Sequence, residues 1–273
     1  MATPRITFED IVLAKQLTPE ELSSDLDKLV AYKAYSNERK FCGNNFLYHF
    51  QTGNLMKTSI KGKKTLAEKL LDDKEYASLH AKMDKLKRTG TLPIRMFEAE
   101  RFNGAVVFFK PSTAKYLYKH LGATKVLDFT AGWGGRMLGA YALGIDYIGI
   151  DTNVSLKPAY DGMIDFMTSC RPRGKIGMIW DSCLNVDFSK LDYDCVLTSP
   201  PYVNLEVYEH MTPFESDKKY YTEFLIPMIN KSLTHIKTGG KVCINISPKM
   251  YDALKKNGMR ECDMTIELLQ QKR

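Results

Sequence analysis

The sequence lacks several things that would settle its class at once. Among its 273 residues there is no run of eighteen apolar residues, so no segment is expected to span a membrane. Met1 to Leu17 carries Glu9 and Asp10 and has no unbroken apolar core, so no secretory signal is expected there. The six cysteines, Cys42, Cys170, Cys183, Cys195, Cys243 and Cys262, include no C-x-x-C pair, and no two histidines have ligand spacing. A zinc site is therefore not expected. Cys183, Cys195 and Cys243 lie in or near apolar runs, which points to core packing in a reducing, intracellular compartment. None of the eleven prolines is followed by cysteine, so the nucleophile of C5-cytosine chemistry has no candidate. Internal repeats and low-complexity segments are absent.

What is present divides near residue 100. The earlier part, 1–100, is rich in lysine and helical in pattern. Thr18-Pro19-Glu20-Glu21 reads as an N-cap and first turn. Leu66, Leu70, Tyr76, Leu79, Met83 and Leu86 give helical spacing across Thr65 to Leu86, and Gly90 and Pro93 end that stretch. From 101 to 273 the texture is α/β. A helix is expected over Thr113 to Leu121. Strand-like runs follow at Lys125 to Phe129, Tyr147 to Ile150, Ile176 to Trp180, Cys195 to Thr198 and Lys241 to Ile246. Helical stretches fall between them, at Arg136 to Ala142, Leu156 to Ser169 and Tyr220 to His235. This alternation implies βαβ units and a doubly wound parallel sheet.

The first strand runs through Asp128 into the turn Phe129-Thr130-Ala131-Gly132-Trp133-Gly134-Gly135 and then a helix. Glycines there let the backbone approach a ligand where a Cβ would clash. Asp151 ends the next strand, 23 residues after Asp128, where a carboxylate can accept from both ribose hydroxyls. The turn begins with an acid and reads G-x-G-G, a poor match for a pyrophosphate and a better one for a cationic, amino-acid-bearing nucleoside. The reading favours S-adenosylmethionine over NAD. Asp181 and Ser182 follow the third strand. Asp181 there suits either an adenine amino group or a turn cap.

The fourth strand ends in Thr198-Ser199-Pro200-Pro201-Tyr202. Two prolines can neither continue a ladder nor enter a helix interior, so they fix the shape of the strand exit. An exocyclic amine on cytosine or adenine is a poor nucleophile, because its lone pair is delocalised into the ring. The Ser199 oxygen and the Pro200 carbonyl can accept its two N–H bonds and orient it towards a methyl donor. Tyr202 can stack on a base extruded from a duplex.

With Asp-Phe-Thr-Ala-Gly-Trp-Gly-Gly at 128–135 and Thr-Ser-Pro-Pro-Tyr at 198–202, the chain resembles the amino-methyltransferases of DNA, over about residues 103–250. The resemblance implies a class I methyltransferase, Rossmann-like fold with a mainly helical N-terminal region. It implies that Asp128, Thr130, Gly132 and Gly134 cradle S-adenosylmethionine and that Asp151 holds its ribose. Asp181 and Ser182 would flank the adenine. Lys110-Pro111-Ser112 would close over the methionine end. Ser199, Pro200, Pro201 and Tyr202 would hold the target base, with N4-cytosine slightly ahead of N6-adenine. Two departures stand out. Phe129 and Thr130 replace the family's Pro-Phe, and Trp133 replaces a small residue. After Tyr251 only Met264 to Leu269 looks strand-like, which puts the family's seventh strand in doubt.

The net charge is +7, from 39 basic and 32 acidic residues, a mild indication of a polyanionic partner. Residues 39–95 hold thirteen bases against five acids. The bases run from Arg39 and Lys40, through Lys57, Lys61, Lys63, Lys64, Lys69, Lys74, Lys82, Lys85, Lys87 and Arg88, to Arg95. Phe41, Phe46, Tyr48 and Phe50 lie near their start, as stacking platforms or as helix core. This N-terminal region is the expected site of nucleic-acid recognition, DNA ahead of RNA. The short stretch Val203 to Asp217, with Asn204, Glu206, Tyr208 and His210, could line the base pocket or simply connect elements. RNA base methylation, glutamine methylation, and a catalytically silent nucleic-acid-binding subunit stay open, as does a homodimer or a partner subunit.

Overall fold

The computed structural model describes residues 5–34, 41–59, 62–86, 89–101, 108–202 and 214–268. Six helices come first: α1 Phe8–Ala14, α2 Pro19–Ala31, α3 Asn44–Met56, α4 Leu66–Leu71, α5 Asp73–Lys85 and α6 Leu92–Arg101. Capping sets their starts. Thr7, Thr18 and Thr65 each accept from the N3 amide of their helix, and the N3 carboxylate (Asp10, Glu21 or Glu68) returns the bond. The single periodic stretch expected over 65–86 is two helices. Asp72 is extended, ends α4 and caps α5 by accepting from Glu75.

The second half builds the sheet. Its elements are α7 Pro111–Leu121, β1 Lys125–Asp128, α8 Gly135–Leu143, β2 Asp146–Asp151, α9 Lys157–Cys170, β3 Ile176–Trp180 and β4 Cys195–Thr198. A short helical turn α10, Asp217–Lys219, leads through a π-helix, Tyr220–Leu225, into α11 Ile226–His235, then β5 Lys241–Ile244 and α12 Pro248–Lys256. All four strand pairings are parallel, in the order β3-β2-β1-β4-β5. This is the doubly wound, Rossmann-like α/β sheet expected from the sequence. The five strand-like runs all form strands. Of the strand-like run expected after Tyr251, the described residues 264–268 form no strand.

Side-chain alternation along the strands sorts two apolar cores onto the two faces. Val126, Tyr147, Cys195 and Leu197 face one core, with α7, α8, α9 and the N-terminal helices. Leu127, Phe129, Ile150 and Val196 face the other, with Leu225, Met228 and Ile229, and with Met250 and Leu254 of α12. The first core runs without a break from Ile11 and Leu29 to Met137 and Tyr160, so the N-terminal helices share it with the sheet. Phe46 and Tyr48 are buried within it, and Phe50 packs against it, so these aromatics are core and not stacking platforms.

Among the described residues, no helix is long and apolar enough to cross a membrane, and no cluster of metal-ligating side chains occurs. Cys183, Cys195 and Cys243 pack as the sequence implied. Burial pushes their thiols up, to about 12 for Cys183 and about 11 for Cys243, so they stay protonated.

Candidate active site at the carboxyl ends of strands β1, β2 and β4

In a sheet of this order the chain leaves β1 and β4 in opposite directions, and the crevice between their carboxyl ends is where such folds take ligands. The glycine turn follows β1 and the Ser-Pro-Pro-Tyr stretch follows β4. Neighbouring strand ends thus bring together two motifs about 70 residues apart in sequence.

Asp128 lies beneath the turn and not on its surface. It is fully buried. One carboxylate oxygen accepts from Arg136 Nε at 2.6 Å and from the Tyr147 hydroxyl at 2.8 Å. The other accepts from the Thr198 hydroxyl at 2.8 Å. Thr198 has one proton and gives it to Asp128, so the 2.6 Å contact between the two threonine hydroxyls has Thr130 donating to Thr198. Arg136 also donates to the Thr130 carbonyl at 2.5 Å. Burial pulls the guanidinium's pKa down, but the Asp128 charge and hydrogen bond outweigh this and leave it above its ordinary value. Asp128 therefore welds β1, β2, β4 and α8 together beneath the turn, and its described contacts are all internal.

Above this network the turn is built by glycine. Gly132 and Gly134 have φ of +59° and +87°, a region L side chains rarely adopt. Among the described residues, a Cβ on Gly132 would meet no atom nearer than 3.9 Å. Gly135 is required for a different reason. A Cβ there would lie 1.8 Å from the Phe109 carbonyl oxygen, so the segment leading to Lys110 crosses directly against the start of α8. Trp133, the bulky departure, is buried in the first core, and its carbonyl accepts from Gln51 of α3 at 3.5 Å.

Asp151 is half-buried at the end of β2 and belongs to the turn. It accepts from the Gly132 amide at 2.7 Å through one oxygen and from the Asn153 amide at 2.9 Å through the other. Each oxygen keeps a lone pair for a further donor. Burial raises its pKa, and the two amides oppose that. Tyr160 donates to the Gly132 carbonyl at 3.0 Å and holds the turn from the other side.

Asp181 is exposed after β3. Its carboxylate caps its own turn, accepting from the Ser182 amide at 2.6 Å and from Asn185 Nδ2 at 3.0 Å. The Ser182 hydroxyl accepts from the Leu184 amide at 3.3 Å. The turn-cap alternative thus describes the contacts Asp181 makes. Lys110 is the N-cap residue of α7, and its ammonium sits 4.0 Å from the centre of the Phe41 ring.

The Ser-Pro-Pro-Tyr stretch is held at two points by residues that local patterns did not mark. Asn245, just past β5, donates to the Ser199 hydroxyl oxygen at 2.9 Å. Tyr220, the first residue of the π-helix, donates to the Pro201 carbonyl at 2.7 Å. A π turn aims a side chain where an α-helix would not, and such turns cluster at functional sites. Tyr202 packs against the second core, and Pro200 is buried. Asn204, Glu206, Tyr208 and His210 lie outside the described residues.

The basic N-terminal stretch is partly neutralised. Lys64 pairs with Asp72 at 2.5 Å, Lys69 with Glu100 at 2.7 Å and Arg95 with Asp84 at 3.4 Å. Arg39, Lys40, Lys61, Lys87 and Arg88 lie outside the described residues.

No protein-family model matches the chain. Over 74 residues, 26% of its length, it is 35% identical to the Type II methyltransferase M.MjaVI of Methanocaldococcus jannaschii, of which the match spans 36%. The crystal structure of TehB from Haemophilus influenzae aligns with a TM-score of 0.33 at 16% identity, over 54% of this chain and 43% of that one. The chain thus spans less than half the length of either protein.

Proposed function

We propose that this chain is an S-adenosylmethionine-dependent methyltransferase whose acceptor is the exocyclic amino group of a DNA base, N4 of cytosine ahead of N6 of adenine. The observation that carries the reading is the placement of Ser199-Pro200-Pro201-Tyr202 beside the glycine turn, across the β1–β4 crevice. The segment of identity with a Type II methyltransferase supports it.

The residues present fit the cofactor. At Gly132 the described neighbours stay at or beyond ordinary contact distance, the Thr130 carbonyl at 3.9 Å and Arg136 Nη2 at 4.0 Å from where a Cβ would be, so a nucleoside can lie against the backbone. Asp151 keeps acceptor capacity on both oxygens, which suits two ribose hydroxyls better than a phosphate. When bound, S-adenosylmethionine supplies a methyl group on a sulfonium sulfur, an electrophile that needs no metal. The chain's own part is orientation. Ser199 Oγ and the Pro200 carbonyl accept the two N–H bonds of the amine and aim its nitrogen at the methyl carbon. These two acceptors would stabilise the positive charge that the amine nitrogen gains on methylation, until its proton is lost to solvent. Tyr202 offers a stacking face for the base.

The test is transfer of tritiated methyl from S-adenosylmethionine to unmethylated duplex DNA, single-stranded DNA and RNA, with the product nucleosides identified by mass. N4-methylcytosine or N6-methyladenine in DNA is expected. Label in RNA alone would move the acceptor to an RNA base. No label in any nucleic acid would overturn the reading in favour of a protein acceptor or a silent subunit.

A further inference from the structure

We propose that Asn245 is a positioning residue that anchors the Ser199 oxygen and restricts the turning of its hydroxyl. The proposal rests on the methyl-transfer reading above and deepens it. It begins with the backbone. The Asn245 amide donates to the Thr198 carbonyl at 2.8 Å, which carries the β4–β5 ladder one residue past the end of β5. That bond puts the Asn245 side chain level with Ser199, and Nδ2 reaches Oγ at 2.9 Å. Both residues are half-buried, so water competes weakly for the contact.

A serine hydroxyl has one proton and two lone pairs and turns freely about its C–O bond. A freely turning hydroxyl can direct its proton at an incoming amine as readily as a lone pair, and the former repels an N–H. With Asn245 occupying one lone pair, two directions remain, one for the proton and one for the second lone pair. The choice of an amide matters chemically. Its Nδ2 only donates, so it anchors the hydroxyl oxygen without competing for the proton the amine must lose. The backbone bond to Thr198 ties this arrangement to the residue that also donates to Asp128. The acceptor side of the site and the floor of the glycine turn are thus set by one strand exit.

Asn245→Ala, Ser199→Ala and the double variant test this together. Asn245→Ala is expected to lower kcat on the order of tenfold and to leave the S-adenosylmethionine Kd within about twofold of wild type. The double variant is expected to be no slower than Ser199→Ala alone, because the amide acts only through the hydroxyl. An unchanged kcat in Asn245→Ala overturns the proposal, and so does a loss that multiplies with that of Ser199→Ala. The side-chain amide resonances of Asn245 supply a readout independent of turnover, and they are expected to shift in Ser199→Ala. If wild type methylates no nucleic acid, the functional reading fails on its own account. The hydroxyl contact is then judged by the amide resonances, and their failure to shift overturns it.

Discussion

At the scale of single residues, the two acids of the site do different work. Asp128 is enclosed by Arg136, Tyr147 and Thr198, and its effect on a ligand is indirect. Removing one partner of a buried ion pair strands the other charge, so Asp128→Ala should cost about 3–5 kcal/mol of stability. Urea denaturation reads this directly. An Asp128→Ala protein of unchanged stability that no longer binds cofactor would return the residue to the cradle. Asp151, by contrast, keeps acceptor capacity facing the turn. Asp151→Ala should weaken S-adenosylmethionine binding by about 1–3 kcal/mol, the worth of charge-assisted hydrogen bonds. Because burial raises its pKa, wild-type affinity should begin to fall on acidification at a higher pH than an ordinary carboxylate would give. Titration calorimetry at several pH values checks both points.

At the scale of elements, the joint between the N-terminal helices and the sheet-bearing half is a buried lysine. Lys115 of α7 donates to the carbonyls of Leu29, Val30 and Tyr32, at 2.9, 2.8 and 2.7 Å, and so satisfies the C-terminal end of α2. Burial pulls its pKa from 10.5 down to about 8. Between those values the unfolded chain binds the extra proton, so this group makes stability rise with pH from about 8 to 10.5. Lys115→Met should lose that rise. It should also cost at least about 1–3 kcal/mol at pH 7 through the stranded carbonyls. Urea midpoints of both proteins across the window give the comparison. The π-helix makes a second element-level claim. Tyr220→Phe removes only the hydroxyl on the Pro201 carbonyl. It should lower kcat with little change in fold stability, and an unchanged kcat would leave that hydroxyl a packing detail.

The elements also show what a sequence can carry. Strands β1 to β5 and helices α7, α8, α9 and α11 follow from periodicity, and the glycine turn and the Ser-Pro-Pro-Tyr stretch follow from local chemistry. Both motifs are contiguous, so a linear reading meets them whole. Asn245 and Tyr220 act on the site only after β5 and the π-helix have been placed beside β4, and neither sits in a local pattern. The buried role of Asp128 depends on Arg136, Tyr147 and Thr198, which three other elements supply. Thr7-x-x-Asp10 carried a capping signal that could have located α1. The π-helix left a weaker trace, since the buried positions Tyr220, Phe224, Met228 and Ser232, running from it into α11, step by four throughout, where an α-helix mixes steps of three and four.

At the scale of the whole molecule, the boundary near residue 100 falls between α6 and α7, but the apolar core does not stop there. Phe46 stacks edge-on against Phe166 of α9 at 5.7 Å, and Gln51 holds the Trp133 carbonyl in the glycine turn. The N-terminal helices therefore buttress the glycine turn of the candidate site. A fragment of residues 101–273 should show no cooperative unfolding and no cofactor binding. A fragment that folds and binds would make the N-terminal region a separable recognition module.

The central claim is that the β1 turn and Asp151 form a site for S-adenosylmethionine. Titration calorimetry of wild type and Asp151→Ala with S-adenosylmethionine, and of wild type with NAD, tests it most directly. Saturable binding of S-adenosylmethionine, weakened in the variant, with none of NAD, is the predicted result. Binding of NAD in its place, or affinity for S-adenosylmethionine that Asp151→Ala leaves unchanged, would contradict the account.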